Sequence, residues 1–160
     1  MVSCVFPGSF DPVTRGHLDL ISRAASMFDH VTVAVMVNIR KRGVIPADKR
    51  IEMLRRVCAD FPNVSVEKWD GLLAEYMSAR QEKIVIRGIR SSVELDQELQ
   101  AGSANSMLNS SIETLFLPCN PKMNGISSSA VREIAAFGGD ISAFVPEELT
   151  EEIKSLLSND

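Results

Sequence analysis

The chain has 160 residues, 45% of them hydrophobic and 24% charged, the proportions of one domain spanning residues 1–160 with an apolar core rather than a disordered segment. A formal net charge of −4 excludes a broad nucleic-acid surface, which would carry a basic excess, so any bound anion has to be held by a local cluster. Three cysteines, Cys4, Cys58 and Cys119, are odd in number and lack C-x-x-C spacing, which fits a reducing cytoplasm better than a disulfide framework or a zinc site; no apolar run approaches the ~20 residues of a membrane span, and the opening MVSCVFPGSF lacks the pattern of an export signal.

Short apolar runs alternate with segments of helical period. Strands are expected at residues 2–6 (VSCVF), 31–37 (VTVAVMV), 64–68 (VSVEK), 83–86 (KIVI) and 113–117 (ETLFL), where β-branched residues concentrate. Between and after them, helices are expected at residues 17–28, 47–61, 72–80, 93–108, 128–137 and 146–157, the last opened by Pro146. This alternation predicts an α/β fold with a parallel sheet covered by helices on both faces. Such sheets bind ligands beyond the carboxyl ends of their strands, so the segments that follow strands carry the functional information.

The first such segment, FPGSFDPVTRGH, stiffens its path with Pro7 and Pro12 and permits close backbone approach at Gly8 and Gly16. A helix beginning near Arg15 offers unpaired N–H groups and a positive dipole end to an anion, with His17 in reach of a docked phosphate. Asp11 lies nearby as a turn residue or a site residue. Later segments carry Asn38-Ile39-Arg40-Lys41-Arg42, Arg87-Gly88-Ile89-Arg90 and Ile126-Ser127-Ser128-Ser129. Neither a Walker A sequence nor G-x-G-x-x-G after the first strand is present, which removes the usual support for an ATPase or a dinucleotide enzyme. One at a time, the segments have plainer readings: a capping histidine, a solvated basic loop, a tight turn and a serine N-cap. Their convergence on one edge of the predicted sheet favours a shared site.

Thr14-Arg15-Gly16-His17 matches the T/H-x-G-H signature, and GSFDPVTRGHLDLI resembles the adenylyltransferases of the nucleotidyltransferase superfamily. Together with the Lys41 loop, RGIR at residues 87–90, the acidic helix reaching Glu98 and ISSS at residues 126–129, the chain resembles the bacterial phosphopantetheine adenylyltransferases over essentially its full length. The resemblance implies a Rossmann-like doubly wound sheet of five parallel strands. It also implies transfer of AMP from ATP to 4′-phosphopantetheine, a Mg²⁺ bridged by substrate rather than held by a protein metal site, and a homohexamer. His17, as transition-state stabiliser, Lys41 and Arg90 would form the catalytic set. ATP would be held by Ser9, Phe10, His17, Gly88, Ile89, Arg90, Glu98, Met123, Asn124, Gly125, Ile126, Ser127, Ser128 and Ser129, and phosphopantetheine by Ser9, Lys41, Leu73, Arg87 and Asn105.

The residue types suit that chemistry. A phosphate monoester, with a second pKa of about 6, is already largely dianionic at neutral pH and needs no general base, so positioning and positive charge supply the catalysis. Ser9 stands where the family usually has threonine, Ile39 where it often has proline, and Met123-Asn124-Gly125 where aromatic residues often pack near adenine. Two other readings use the same motifs: a different nucleotidyltransferase, such as a nicotinate mononucleotide adenylyltransferase or a cytidylyltransferase, and a nucleotide-binding sensor without catalysis.

Overall fold

The computed structural model describes residues 1–38 and 43–158. Five strands, β1 (Ser3–Gly8), β2 (His30–Val37), β3 (Val64–Asp70), β4 (Ile84–Ile89) and β5 (Glu113–Pro118), alternate with helices α1 (Arg15–Met27), α2 (Ala47–Val57), α3 (Leu73–Arg80) and α4 (Ser92–Leu108). After β5 come a 3₁₀ turn (Pro121–Met123), α5 (Ser128–Ala136), a second 3₁₀ turn (Glu147–Leu149) and α6 (Thr150–Leu157). The strands are all parallel in the order β3-β2-β1-β4-β5.

Alternation along the strands divides the core. Cys4, Phe6, Val31, Val33, Val35 and Ile86 pack on one face with Leu20 and Ile21 of α1, Leu54 of α2, Val131 of α5 and Ile153 of α6. Val5, Ala34 and Val85 point the other way, against Ala74, Tyr76 and Met77 of α3. The sheet is therefore doubly wound, as the periodicity predicts. Because β1 pairs with both β2 and β4, the chain leaves β1 toward one edge and later returns to build the other edge. The crevice between the carboxyl ends of β1 and β4 is the switch point where such folds bind ligands.

Several boundaries differ from expectation. The fourth strand does not end at residue 86: Arg87, Gly88 and Ile89 remain paired with Phe116, Leu117 and Pro118 of β5. They are the last residues of β4, and only Arg90 leaves the sheet. Likewise β1 continues through Pro7 and Gly8, in register with Ala34 and Val35 of β2. The helix expected at 47–61 stops at Val57, and the one expected from Pro146 begins as a 3₁₀ turn before α6. No helix among the described residues is long and apolar enough to cross a membrane.

Candidate active site

The carboxyl ends of β1 and β4 open into a cavity of about 440 Å³. The N-termini of α1 and α5 both border it, through Gly16 and His17 on one side and Ser128 and Ser129 on the other. Two helix N-termini facing one space make a natural site for a polyanion.

His17 is fixed by the start of its own helix. Thr14 is the N-cap of α1, its hydroxyl accepting a hydrogen bond from the His17 amide at 3.3 Å. The Thr14 amide in turn donates to His17 Nδ1 at 3.1 Å. This is the capping-box arrangement with histidine in the place usually held by Glu or Gln. An Nδ1 that accepts a hydrogen bond carries no proton, so the neutral ring bears its proton on Nε2. The ring sits edge-on to Phe10 and Phe6, with centroids 5.0 and 6.4 Å away. Burial, with further contributions from the Arg90 and Arg87 charges, pushes the imidazole pKa down to about 4. At neutral pH His17 is thus an uncharged hydrogen-bond donor on the cavity wall.

Phe10 takes an uncommon backbone conformation for a residue with a side chain, φ 48°, and its ring lies over Gly8. A Cβ on Gly8 would stand 3.1 Å from that ring, so glycine is what lets the aromatic wall close beside Ser9. Asp11 is buried, and its carboxylate accepts from the amides of Val44 and Ile45 at 2.8 Å each. Arg50, also buried, donates to the carbonyls of Ser9 and Ile45 at 2.6 and 2.9 Å. Of the two roles open to Asp11, its contacts describe the structural one: it ties the first loop to the segment before α2.

The two arginines of RGIR are held alike. Arg87 forks onto Glu98 with two contacts of 2.7 Å and donates through Nη1 to the Pro7 carbonyl at 2.7 Å. Arg90 forks onto Glu94, with 2.6 Å from Nη2 to Oε1, and donates through Nη1 to the Ile126 carbonyl at 2.7 Å. A second cavity, of about 390 Å³, adjoins on the other side of Arg87, lined by Met36, Leu73, Val85, Ala101 and Asn105 among others. Pro7, Gly8, Ser9, Arg87 and Glu98 line both cavities.

Most of the expected site residues therefore converge. Ser9, Phe10, His17, Gly88, Arg90, Glu98, Met123, Ile126, Ser127, Ser128 and Ser129 line the larger cavity. Ser9, Leu73, Arg87 and Asn105 line the smaller one. Ile89, Asn124 and Gly125 line neither cavity, and Lys41 lies outside the described residues. Ser127 is the N-cap of α5, its hydroxyl accepting from the Ala130 amide, while the Ser128 hydroxyl donates to the Pro12 carbonyl. Thr14, already singled out as the first residue of the T-x-G-H signature, also lines the larger cavity, as do Glu94 and Arg132, for which the sequence reading gave no role. Arg132 bridges the Asp11 carbonyl and the Ser129 hydroxyl; its place one helical turn after Ser128 was the signal available for it.

Comparison with known proteins identifies the family. Residues 5–134 match a family model described as cytidylyltransferase-like. A phosphopantetheine adenylyltransferase of Thermobifida fusca is 49% identical over 151 residues, covering 94% of this chain and 92% of that protein. One from Streptomyces coelicolor is 44% identical over 159 residues and 99% of each chain. In fold, the chain is similar to a crystal structure from Vibrio parahaemolyticus provisionally assigned as a nicotinate-nucleotide adenylyltransferase, with a TM-score of 0.64, 16% identity, and coverage of 98% of this chain and 92% of that one. The match over nearly the whole length of both sequences shows that this chain belongs to the phosphopantetheine adenylyltransferase family.

Proposed function

We propose that the protein transfers AMP from ATP to the phosphate of 4′-phosphopantetheine, releasing pyrophosphate and 3′-dephospho-coenzyme A, a step of coenzyme A biosynthesis. The observation that carries this reading is the pair of cavities meeting at Ser9 and Arg87, one polar and flanked by two helix N-termini, the other apolar at Met36, Leu73 and Val85. The larger cavity takes the nucleotide and the smaller one the linear pantetheine arm, whose phosphate then points at Arg87.

The attacking phosphate is dianionic at neutral pH, so no group is needed to take a proton from it. The obstacle is bringing one anion onto another while charge grows on the α-phosphate and the departing pyrophosphate. Arg87 orients the attacking phosphate through the N–H groups its Glu98 fork leaves open, and Lys41, which lies outside the described residues, is the second cation that the family resemblance assigns to that phosphate. His17 presents Nε2–H to the α-phosphate; a neutral ring held by Thr14 donates without carrying a buried charge. Arg90, the α5 amides and Arg132 receive the triphosphate.

Among the described residues no group of three or more His, Cys, Asp or Glu side chains is arranged to hold a metal, and the two glutamates of the wall, Glu94 and Glu98, are forked onto arginines. Mg²⁺ would enter with ATP and would offset the charge of its phosphates, a role that rests on the family and on the chemistry of the cation. The three unpaired thiols suit a cytoplasmic enzyme. A homohexamer is the state the resemblance implies, and an interface between copies is supported by α4, which has no fully buried residue and exposes Val93, Leu99, Met107 and Leu108.

The test is pyrophosphate release from ATP with 4′-phosphopantetheine or nicotinate mononucleotide as acceptor, with dephospho-coenzyme A identified by mass. Turnover with the first acceptor is expected. Release with the mononucleotide alone would shift the protein to the related chemistry, and release with neither would leave a nucleotide-binding protein without catalysis.

A further inference from the structure

Glu94 lies on the nucleotide cavity and has no place in the adenylyl-transfer chemistry, yet it grips Arg90 at both its main chain and its side chain. The Arg90 amide donates to Glu94 Oε2 at 2.9 Å, Nε donates to the same oxygen at 3.2 Å, and Nη2 lies 2.6 Å from Oε1. One carboxylate thus fixes both the main chain and the guanidinium plane of Arg90. Glu94 is itself anchored, because its amide donates to the hydroxyl of Ser91, the N-cap of α4, at 3.2 Å. The third point of the clamp, the Ile126 carbonyl, belongs to the residue just before the serine run.

This clamp decides which donors remain. A guanidinium has five N–H groups; the fork uses two and the carbonyl one, leaving one on Nη1 and one on Nη2. Arg90 is about one-third exposed (31%), so packing alone does not select a rotamer for so long a side chain. Glu94 is equally exposed (32%) and carries a negative charge beside a site for anions, an arrangement that makes sense only if orientation outweighs repulsion.

We propose that Glu94 is a positioning residue for ATP: it holds the Arg90 guanidinium so that its two remaining N–H groups meet the triphosphate. The inference rests on the adenylyltransferase function proposed for the same cavity. Its test is a double-mutant cycle on Glu94→Ala and Arg90→Ala, reading kcat/KM for ATP and KM for phosphopantetheine. Glu94→Ala should lower kcat/KM for ATP about tenfold, with KM for phosphopantetheine changed less than about twofold. In the Arg90→Ala background the same change should cost less than about twofold, because its target is gone. Glu94→Asp, which keeps the charge in the first turn of α4, should return to within about threefold of the parent. An equal loss in both backgrounds would make Glu94 a structural residue, and a rise in kcat/KM would make it an obstacle to ATP; either overturns the proposal.

If Glu94→Ala loses its circular dichroism signal, Glu94→Gln replaces it. The amide sets its own N–H groups against the guanidinium and should lose as much, so parent-like activity there also overturns the proposal. A parent that releases no pyrophosphate with either acceptor counts against the adenylyltransferase reading. The Glu94 assignment is then read by calorimetry with ATP alone, where about tenfold weaker binding by Glu94→Ala supports it and unchanged binding overturns it.

Discussion

His17 packs edge-on against the rings of Phe10 and Phe6 on the cavity wall, and desolvation there, followed by the charges of Arg90 and Arg87, disfavours its charged form. With its pKa near 4 rather than 6.5, the ring stays neutral throughout the range in which phosphopantetheine becomes dianionic. The acid limb of kcat/KM should therefore follow the phosphate of the acceptor, at about pH 6, and not the enzyme. An NMR titration of the imidazole should show Nε2 protonated and no titration above about pH 5, one unit above the value of about 4. A histidine titrating near 6.5, or one protonated on Nδ1, could not serve as the neutral Nε2–H donor to the α-phosphate. The sign for stability follows from the same shift. Because the folded pKa is depressed, the unfolded chain takes up the proton first; the stability contributed by the neutral ring is complete above about 6.5 and is lost as pH falls from there toward 4.

At the scale of elements, β4 shows how the sheet delivers the site. Gly88 lies at its carboxyl end, where a Cβ would stand 2.2 Å from Leu20 Cδ1 of α1 and 3.4 Å from Cys119 Sγ. Glycine lets α1, and so His17, settle against the strand that carries Arg87. Gly88→Ala should lower stability by about 1–3 kcal/mol through overpacking, read as a shift in the urea midpoint. Leu20→Val in the same chain removes the clashing methyl and should shrink that loss; an unchanged midpoint for Gly88→Ala would mean α1 accommodates the methyl freely. The same strand marks what the sequence disclosed. Alternating apolar runs located all five strands, and the motifs around Ser9 and Arg87 fell at the carboxyl ends of β1 and β4, because both depend on local pattern. That Arg87-Gly88-Ile89 stays in the sheet was not legible, since it depends on pairing with Phe116 to Pro118 across about thirty residues of chain. For the same reason the roles of Glu94 and Arg132 were missed, and Thr14 was legible as a member of the signature but not as the partner of His17 Nδ1: each acts by a hydrogen bond that exists only after folding. The 3₁₀ turn Pro121–Met123, too short for any periodicity, brings Met123 to the cavity while Asn124 and Gly125 stay outside it.

For the molecule as a whole, the decisive feature is that two cavities share one wall at the switch point between β1 and β4. Under the proposed function, ligands in the two spaces would meet at Ser9 and Arg87, so both could be bound before any bond changes. The larger cavity also lacks, among the described residues, an activated nucleophile to carry AMP between them. Burial pushes the Cys119 thiol pKa up, the Ser128 hydroxyl donates to the Pro12 carbonyl, and His17 Nδ1 accepts from the Thr14 amide. The transfer should therefore be a single direct displacement through a ternary complex. Initial rates at varied concentrations of both substrates should give intersecting double-reciprocal lines, and labelled pyrophosphate should not exchange into ATP until phosphopantetheine is present. ATP made chiral at the α-phosphorus should give product with inverted configuration, the mark of one in-line step. Parallel lines, exchange with ATP alone or net retention would each require an adenylylated enzyme and a nucleophile outside the described residues.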